Sequence, residues 1–451
     1  MPRRYRALFI ALSVVGLSPL HSTVVVAAAA SAKPNILLIV SDNQPHDEVG
    51  CFGNKRIETP HLDRLAAEGV RLTNFCVASS VCTPSRGAIL TGRYPWRNGL
   101  YDMIRNDDAA DYGRRLTETE YAVSPEMTLG LDVRETLISQ PLHEVGYRCG
   151  VIGKWDSGRA RRFLPLQRGF DFFYGFANTG IDYYTHERYG IPSLFRGNER
   201  IVEEGYATDL FCGEAINFIR SGGEQPFFLY LPFNACHGSA GFDHAGPQAP
   251  LEFMDRYSDL DKKTQARYAC ISAMDAAIGK ILDYLSEAGK ADNTLVIFFS
   301  DNGKLRRYQE NGIRVPFIAR FPGRISAGTK HDEFLTSLEI APTLWNAAGA
   351  TSPAAVVIDG FDMMGTLDGT KPSARPEMFW HDRDNRAARV GNLKWIDSQY
   401  GSGLFDLAAD PNEKHDLSSE RPELLAPLQE RFAVWQRDMD ASESRGPFRD
   451  Y

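Results

Sequence analysis

The chain has 451 residues, 50 basic against 58 acidic, for a formal charge of −8. That length is far above the size at which burying a core is difficult, and one large domain plus a smaller one is the simplest partition. The acidic balance excludes a general nucleic-acid binder, whose footprint is basic, but not an anionic substrate met by a local basic cluster.

Arg3, Arg4 and Arg6 precede an apolar run from Ala7 to Leu17 and a second apolar stretch from Val24 to Ala30. A positive segment, an apolar segment and Ala-X-Ala options between Ala27 and Ala32 predict a cleaved signal peptide over residues 1–32. Ser18, Pro19, His21 and Ser22 interrupt the run before it reaches the roughly 20 residues a bilayer span needs. The expectation is a secreted or periplasmic protein with no stable membrane span after cleavage. Seven cysteines (51, 76, 82, 149, 212, 236 and 270) are an odd number for an exported chain, which calls for an explanation. None has zinc-site spacing.

After Asn35, Ile36 to Val40 is a continuous aliphatic run without alternation, as in a parallel strand covered on both faces. It ends in Ser41-Asp42-Asn43, at the C-terminal strand edge where open α/β sheets place ligands. Thr59 to Gly69 reads as a helix through Leu62, Leu65 and Ala66, and Val70 to Phe75 as a short strand. Pro226 to Phe233 is another buried strand, ending in Asn234-Ala235-Cys236-His237. Leu260 to Ala288 is an amphipathic helical region whose apolar face, including Ile271, Met274, Ile278 and Leu285, covers the sheet.

Thr294 to Phe299 repeats the layout of the first strand and is followed by Ser300-Asp301-Asn302-Gly303. Asp and Asn at strand ends are common turn formers and helix caps. Their repetition at two strands points instead to oxygens converging on a hard divalent cation. After Gly349 the composition loosens until Pro376. Strands are then expected at 388–396 and 403–407, with a closing helix over about 422–439.

Cys82-Thr83-Pro84-Ser85-Arg86, with Leu90-Thr91-Gly92-Arg93 after it, resembles the signature of the type I sulfatases, in the alkaline phosphatase superfamily. A lone cysteine is usually a small buried hydrophobe; the motif reverses that reading. The resemblance implies that a maturation enzyme oxidises Cys82 to formylglycine, whose hydrate supplies the nucleophilic oxygen, and that Arg86 binds it. It also implies a metal, usually calcium with magnesium the alternative, at Asp42, Asn43, Cys82, Asp301 and Asn302. Most of the family has Asp where this chain has Asn43. With Cys82 consumed, six cysteines remain, enough for three disulfides or equally for none.

Gly153-Lys154-Trp155-Asp156 resembles the family's Gly-Lys-Trp-His, whose lysine and histidine contact the sulfate. Lys154 carries over. Asp156 replaces the histidine, and a carboxylate beside sulfate is repulsive unless protonated or paired, with Arg159, Arg161 and Arg162 at hand. His237 matches the family's sulfate-binding, proton-donating histidine. Lys304 stands for the family's active-site lysine, although the loop after Asn302 is shortened and Arg306 or Arg307 is an alternative. His61 falls in a helix that the family shares, which gives it a structural role. Arg168 to Phe176 is scaffold there, with Tyr183, Tyr184 and His186 candidates to line a pocket.

The resemblance therefore implies an alkaline-phosphatase-like α/β fold: a mixed sheet flanked by helices over 33–350, and a smaller C-terminal antiparallel sheet and helix over 351–451. It implies an exported hydrolase of sulfate esters, acting on a sulfated small molecule or carbohydrate. The alternatives are a phosphate or phosphonate ester hydrolase of the same fold, and a sulfatase-like protein with reduced or lost catalysis.

Overall fold

The first strand, Asn35–Ser41, is buried along its whole length because it has a strand on either side and a helical layer over each face. It pairs in parallel with Phe227–Pro232 and with Thr294–Ser300, in registers that set Val40 beside Pro232 and Ser41 beside Ser300. Phe227–Pro232 pairs in parallel with Arg148–Lys154, and that strand with Phe172–Phe176. Five parallel strands thus bring their C-terminal ends to one edge. Antiparallel Phe317–Arg320, then Val70–Leu72 and Thr329–His331, extend one flank, and Leu194–Arg196 and Glu199–Ile201 the other, giving ten strands. The computed structural model describes residues 1, 33–104, 117–304 and 307–446; the expected signal peptide lies outside them.

Strand side chains alternate between faces, so the first strand feeds two cores. Ile36, Leu38 and Val40 pack with Ala88, Ile89 and Leu90 of the helix Cys82–Thr91 and with Leu344 of Ile340–Ala348. Leu37 and Ile39 pack with Phe211 of Ala207–Ser221 and with Ile271, Met274 and Ile278 of Lys262–Glu287. The long helix starts where expected, with the Asp261 side chain accepting from the N–H groups of Lys263 and Thr264. The helix expected after Thr59 is Pro60–Ala67. His61 lies on it, against Gly279 of the long helix, and its backbone N–H donates to Asp275.

Glu377–Asp382, Asn385–Val390, Leu393–Asp397 and Gly403–Asp406 form a four-stranded antiparallel sheet. The 388–396 stretch turns at Gly391-Asn392 and contributes to two of these strands. The helix Pro422–Asp440 covers the sheet, with Phe432 and Trp435 against Phe379. All seven cysteines are free thiols, six of them buried and Cys51 half-buried. Among the described residues no helix is long and apolar enough to cross a membrane.

Candidate active site

Cys82 opens the buried helix Cys82–Thr91, at the end where unpaired N–H groups carry positive partial charge. Pro84 costs the helix nothing there, because first-turn N–H groups have no intrahelical acceptor. One turn on, Ser85 Oγ donates to the Asp301 carbonyl at 2.5 Å, tying the helix to the Thr294–Ser300 strand end. Cys82 is 3 % exposed. Burial first, and then Asp156, Asp42 and Asp301, push its thiol up to about 12 against the opposing Lys154. An unmodified Cys82 is a neutral thiol here.

Arg86, from the same helix, is fully buried and reaches both acidic strand ends. Its Nη2 lies 3.1 Å from Asp42 Oδ2 and 2.6 Å from Asp301 Oδ2. Its Nη1 donates to the Lys154 carbonyl at 3.1 Å and to the Tyr230 hydroxyl at 3.4 Å. Lys154, last residue of its strand, sets Nζ 2.5 Å from Asp42 Oδ2. Gly153 is required just before it: its φ is +118°, and a Cβ would collide with the Pro232 carbonyl of the neighbouring strand. Burial disfavours charge on Asp42, but Lys154, His237 and Arg86 outweigh it and hold the carboxyl below its ordinary range.

Asp156 accepts from Thr83 Oγ1 at 3.0 Å through Oδ1, and its Oδ2 lies 3.6 Å from Lys154 Nζ. The carboxylate is paired, although burial still raises its pKa. Asn43 and Asp156, the two departures from the family pattern, both have left-handed backbones, with φ of 59° and 50°. Asn and Asp tolerate that conformation better than most residues. His237 Nδ1 lies 2.6 Å from the Gly238 carbonyl, which can only accept, so Nδ1 carries the proton and Nε2 is the ring atom left for a ligand. Burial lowers its pKa, with Asp42 opposing and Lys154 reinforcing.

The oxygens expected to hold a cation lie together. Ligand atoms of Asp42, Cys82 and Asp301 fall within 4.8 Å of one another. Asp42 Oδ1, Asn43 Oδ1 and Asn302 Oδ1 are buried without a hydrogen-bond partner, and Asp301 Oδ2 has only its ion pair with Arg86. Buried acceptors are normally satisfied, and three carboxylates here face two fixed cations, Arg86 and Lys154. Unpartnered hard oxygens and surplus negative charge fit a divalent cation.

Other expected residues fall elsewhere. Lys304 is half-exposed at the rim, with Nζ 3.3 Å from Glu48 Oε1. Arg307 pairs with Asp382 of the C-terminal sheet at 2.5 Å, and Arg306 lies outside the described residues. Arg161 and Arg162 are exposed, whereas Arg159 is buried and donates to Ser193 Oγ and the Pro192 carbonyl. Tyr183 donates to the His237 carbonyl at 2.8 Å and fixes that loop. Tyr184 is exposed, and His186 is buried on the Gly205 carbonyl. Sequence reasoning passed over Tyr230 and Thr83. Tyr230 reads as one more core aromatic, while Thr83 stood within the motif but had no visible partner.

The sulfatase family model matches residues 34–350. The chain belongs to the sulfatase family. A second model, N-sulphoglucosamine sulphohydrolase C-terminal, matches residues 304–437 of this sulfatase. N-acetylgalactosamine-6-sulfatase from Canis lupus familiaris is 30% identical over 95% of this chain and 89% of its own length. Human arylsulfatase A is 29% identical over 89% of this chain and 82% of its own length. The crystal structure of Ps i-CgsB in complex with k-i-k-neocarrahexaose superposes with a TM-score of 0.78 and 29% identity, covering 89% of this chain and 92% of that one. The large mixed sheet with its small antiparallel C-terminal partner is the sulfatase fold, and the activity is sulfuric ester hydrolysis.

Proposed function

We propose that this sulfatase is an exported, cation-dependent hydrolase of sulfated carbohydrate whose nucleophile is made from Cys82. The observation that carries the reading is the meeting of Cys82, at a helix N-terminus, with Asp42 and Asp301 within 4.8 Å. The carbohydrate class is supported by two relatives, one named for N-acetylgalactosamine 6-sulfate hydrolysis and one crystallised with a neocarrahexaose. The Arg-rich, apolar leader supports export and, with it, a maturation enzyme met on the way out.

Converted to formylglycine, position 82 supplies a hydrated aldehyde, one hydroxyl to attack sulfur and a second whose deprotonation later expels sulfate. Asp42, Asn43, Asp301 and Asn302 would hold calcium, or magnesium, which supplies Lewis-acid charge beside the sulfuryl oxygens. Arg86 orients the position-82 oxygen and bridges the two carboxylates, offsetting their mutual repulsion. Lys154 and the helix N-terminus stabilise negative charge that grows in the transition state. His237 keeps its Nδ1 proton on the Gly238 carbonyl, so its Nε2 first takes the proton of the attacking hydroxyl and then passes that proton to the leaving oxygen. Asp156 holds Thr83 and tempers Lys154. Residues 33–350 carry this chemistry, and the C-terminal sheet braces the short loop after Asn302 through Asp382, which holds Arg307 and Tyr308.

The test is sulfate release from 4-nitrophenyl sulfate and from a panel of 4- and 6-sulfated galactose and N-acetylgalactosamine derivatives. Turnover of a sulfated sugar, with aryl phosphate and phosphonate esters slower, is expected. Faster phosphonate hydrolysis would overturn the assignment.

A further inference from the structure

Glu48 and Arg267 stand beside the two acidic strand ends without belonging to either. Arg267, on the helix Lys262–Glu287, donates from Nε to Glu48 Oε2 at 2.7 Å and from Nη2 to the Asn43 backbone carbonyl at 2.6 Å. The other Glu48 oxygen lies 3.3 Å from Lys304 Nζ, and the Glu48 carbonyl accepts from Gln44 Nε2 at 2.9 Å. The Glu48 side chain is 5% exposed and that of Arg267 19%. One carboxylate therefore links the loop after Asn35–Ser41, the loop after Thr294–Ser300 and the helix covering the sheet.

Asn43 is where such a link matters. Its backbone N–H donates to Asp301 Oδ1 at 3.2 Å, its φ is 59°, and its side-chain oxygen is buried without a partner. Its carbonyl is gripped from the other side by Arg267, with the Cys236 sulfur 3.9 Å away. An amide ligand has no net charge to draw a cation in, so its contribution depends on being held at the right angle. The planar guanidinium fork can hold Glu48 and the Asn43 carbonyl at once, which a lysine ammonium on one stem does not reproduce.

We infer that the Glu48–Arg267 pair is a positioning device for the cation site: it aims Asn43 and docks Lys304 at the rim, so that Lys304 acts through Glu48. The inference rests on the proposed cation reading. Groups that orient ligands from behind typically change metal affinity 10- to 100-fold when removed. Calcium affinity is measured by isothermal titration calorimetry on the full mature protein, for wild type, Arg267→Gln, Glu48→Gln and the double variant, with thermal unfolding of the calcium-free proteins alongside. Each single variant is expected to bind calcium about tenfold more weakly, and the double variant no more weakly than either. Wild-type affinity in folded variants, or losses that multiply in the double, overturns the inference. If those variants do not fold, Arg267→Lys is the variant to read: an affinity loss of several-fold supports the device, and unchanged affinity overturns it. A wild-type protein that binds neither calcium nor magnesium overturns the cation assignment itself, and this inference with it.

Discussion

Arg86 Nη2 lies 2.6 Å from Asp301 Oδ2, and neither side chain is exposed to solvent. The same nitrogen is 3.1 Å from Asp42 Oδ2, so one guanidinium joins the ends of two strands that pair from Asn35–Thr294 to Ser41–Ser300. Arg86→Lys keeps the charge but not the fork that also reaches the Lys154 carbonyl and Tyr230. The expected result is a fall in kcat/KM on 4-nitrophenyl sulfate of at least about 100-fold. Thermal unfolding should show a loss of about 3 kcal/mol, as when a buried pair loses its geometry.

Calcium should stabilise the folded protein by mass action. At a free concentration 100 times the dissociation constant the gain is about 2.7 kcal/mol, read as a rise in Tm that a chelator reverses. Asn43→Asp adds a charged oxygen at a position whose amide oxygen is unpartnered. It should tighten calcium binding by about tenfold, because ligand charge tunes affinity. A Tm indifferent to chelator and calcium would contradict this.

Asp156 is expected to limit substrate binding. Its Oδ2 lies 3.6 Å from Lys154 Nζ and has no hydrogen-bond partner, while Oδ1 accepts from Thr83. Asp156→Asn keeps an acceptor for Thr83 and removes the charge that competes with sulfate for the lysine. KM should fall by about threefold to tenfold, a difference of about 0.7 to 1.4 kcal/mol in the competition for the buried lysine, with a smaller change in kcat. A rise in KM would mean that the carboxylate contacts a donor on the substrate.

Asp275 gives a pH signature away from the site. Burial pushes its carboxyl up to about 7 from 3.8, against the N–H groups of His61 and Leu62, which favour the charged form. A carboxyl that protonates more readily in the folded state contributes stability in full below its unfolded pKa. That contribution is lost as the pH rises through about 7. Unfolding free energy should therefore decline by up to about 4 kcal/mol from this group as the pH rises from 4 to 7. Asp275→Asn should flatten that part of the curve, measured by urea unfolding at each pH.

Much of this was legible because the key chemistry is local in sequence. Buried runs such as 35–40 and 294–299 announce parallel strands, and the polar residues directly after them fall at the ligand-binding edge. Cys82, Ser85 and Arg86 share one helical turn, so the motif itself carries their grouping. Lys154 and Asp42, 112 residues apart, could be joined only through the family resemblance, because strand order is set by pairing that leaves no mark within either strand. The Glu48–Arg267 link was invisible for the same reason: each reads as an ordinary charged residue until the helix is laid against the sheet. The disulfide question stayed open in the sequence because pairing depends on geometry, and the structure leaves every cysteine unpaired. The role of Lys304 was the least legible point, since a shortened loop removes the spacing by which an equivalent lysine would be recognised.

The central claim is that catalysis depends on the modification of Cys82. The most direct measurement takes preparations made with and without co-expression of a formylglycine-generating enzyme, and quantifies the aldehyde in the tryptic peptide Leu72–Arg86 by mass spectrometry. The rate of sulfate release from 4-nitrophenyl sulfate is then plotted against the converted fraction. The account predicts a straight line through the origin, with Cys82→Ala on the baseline. Turnover that does not depend on the converted fraction, or none in fully converted protein, would contradict it.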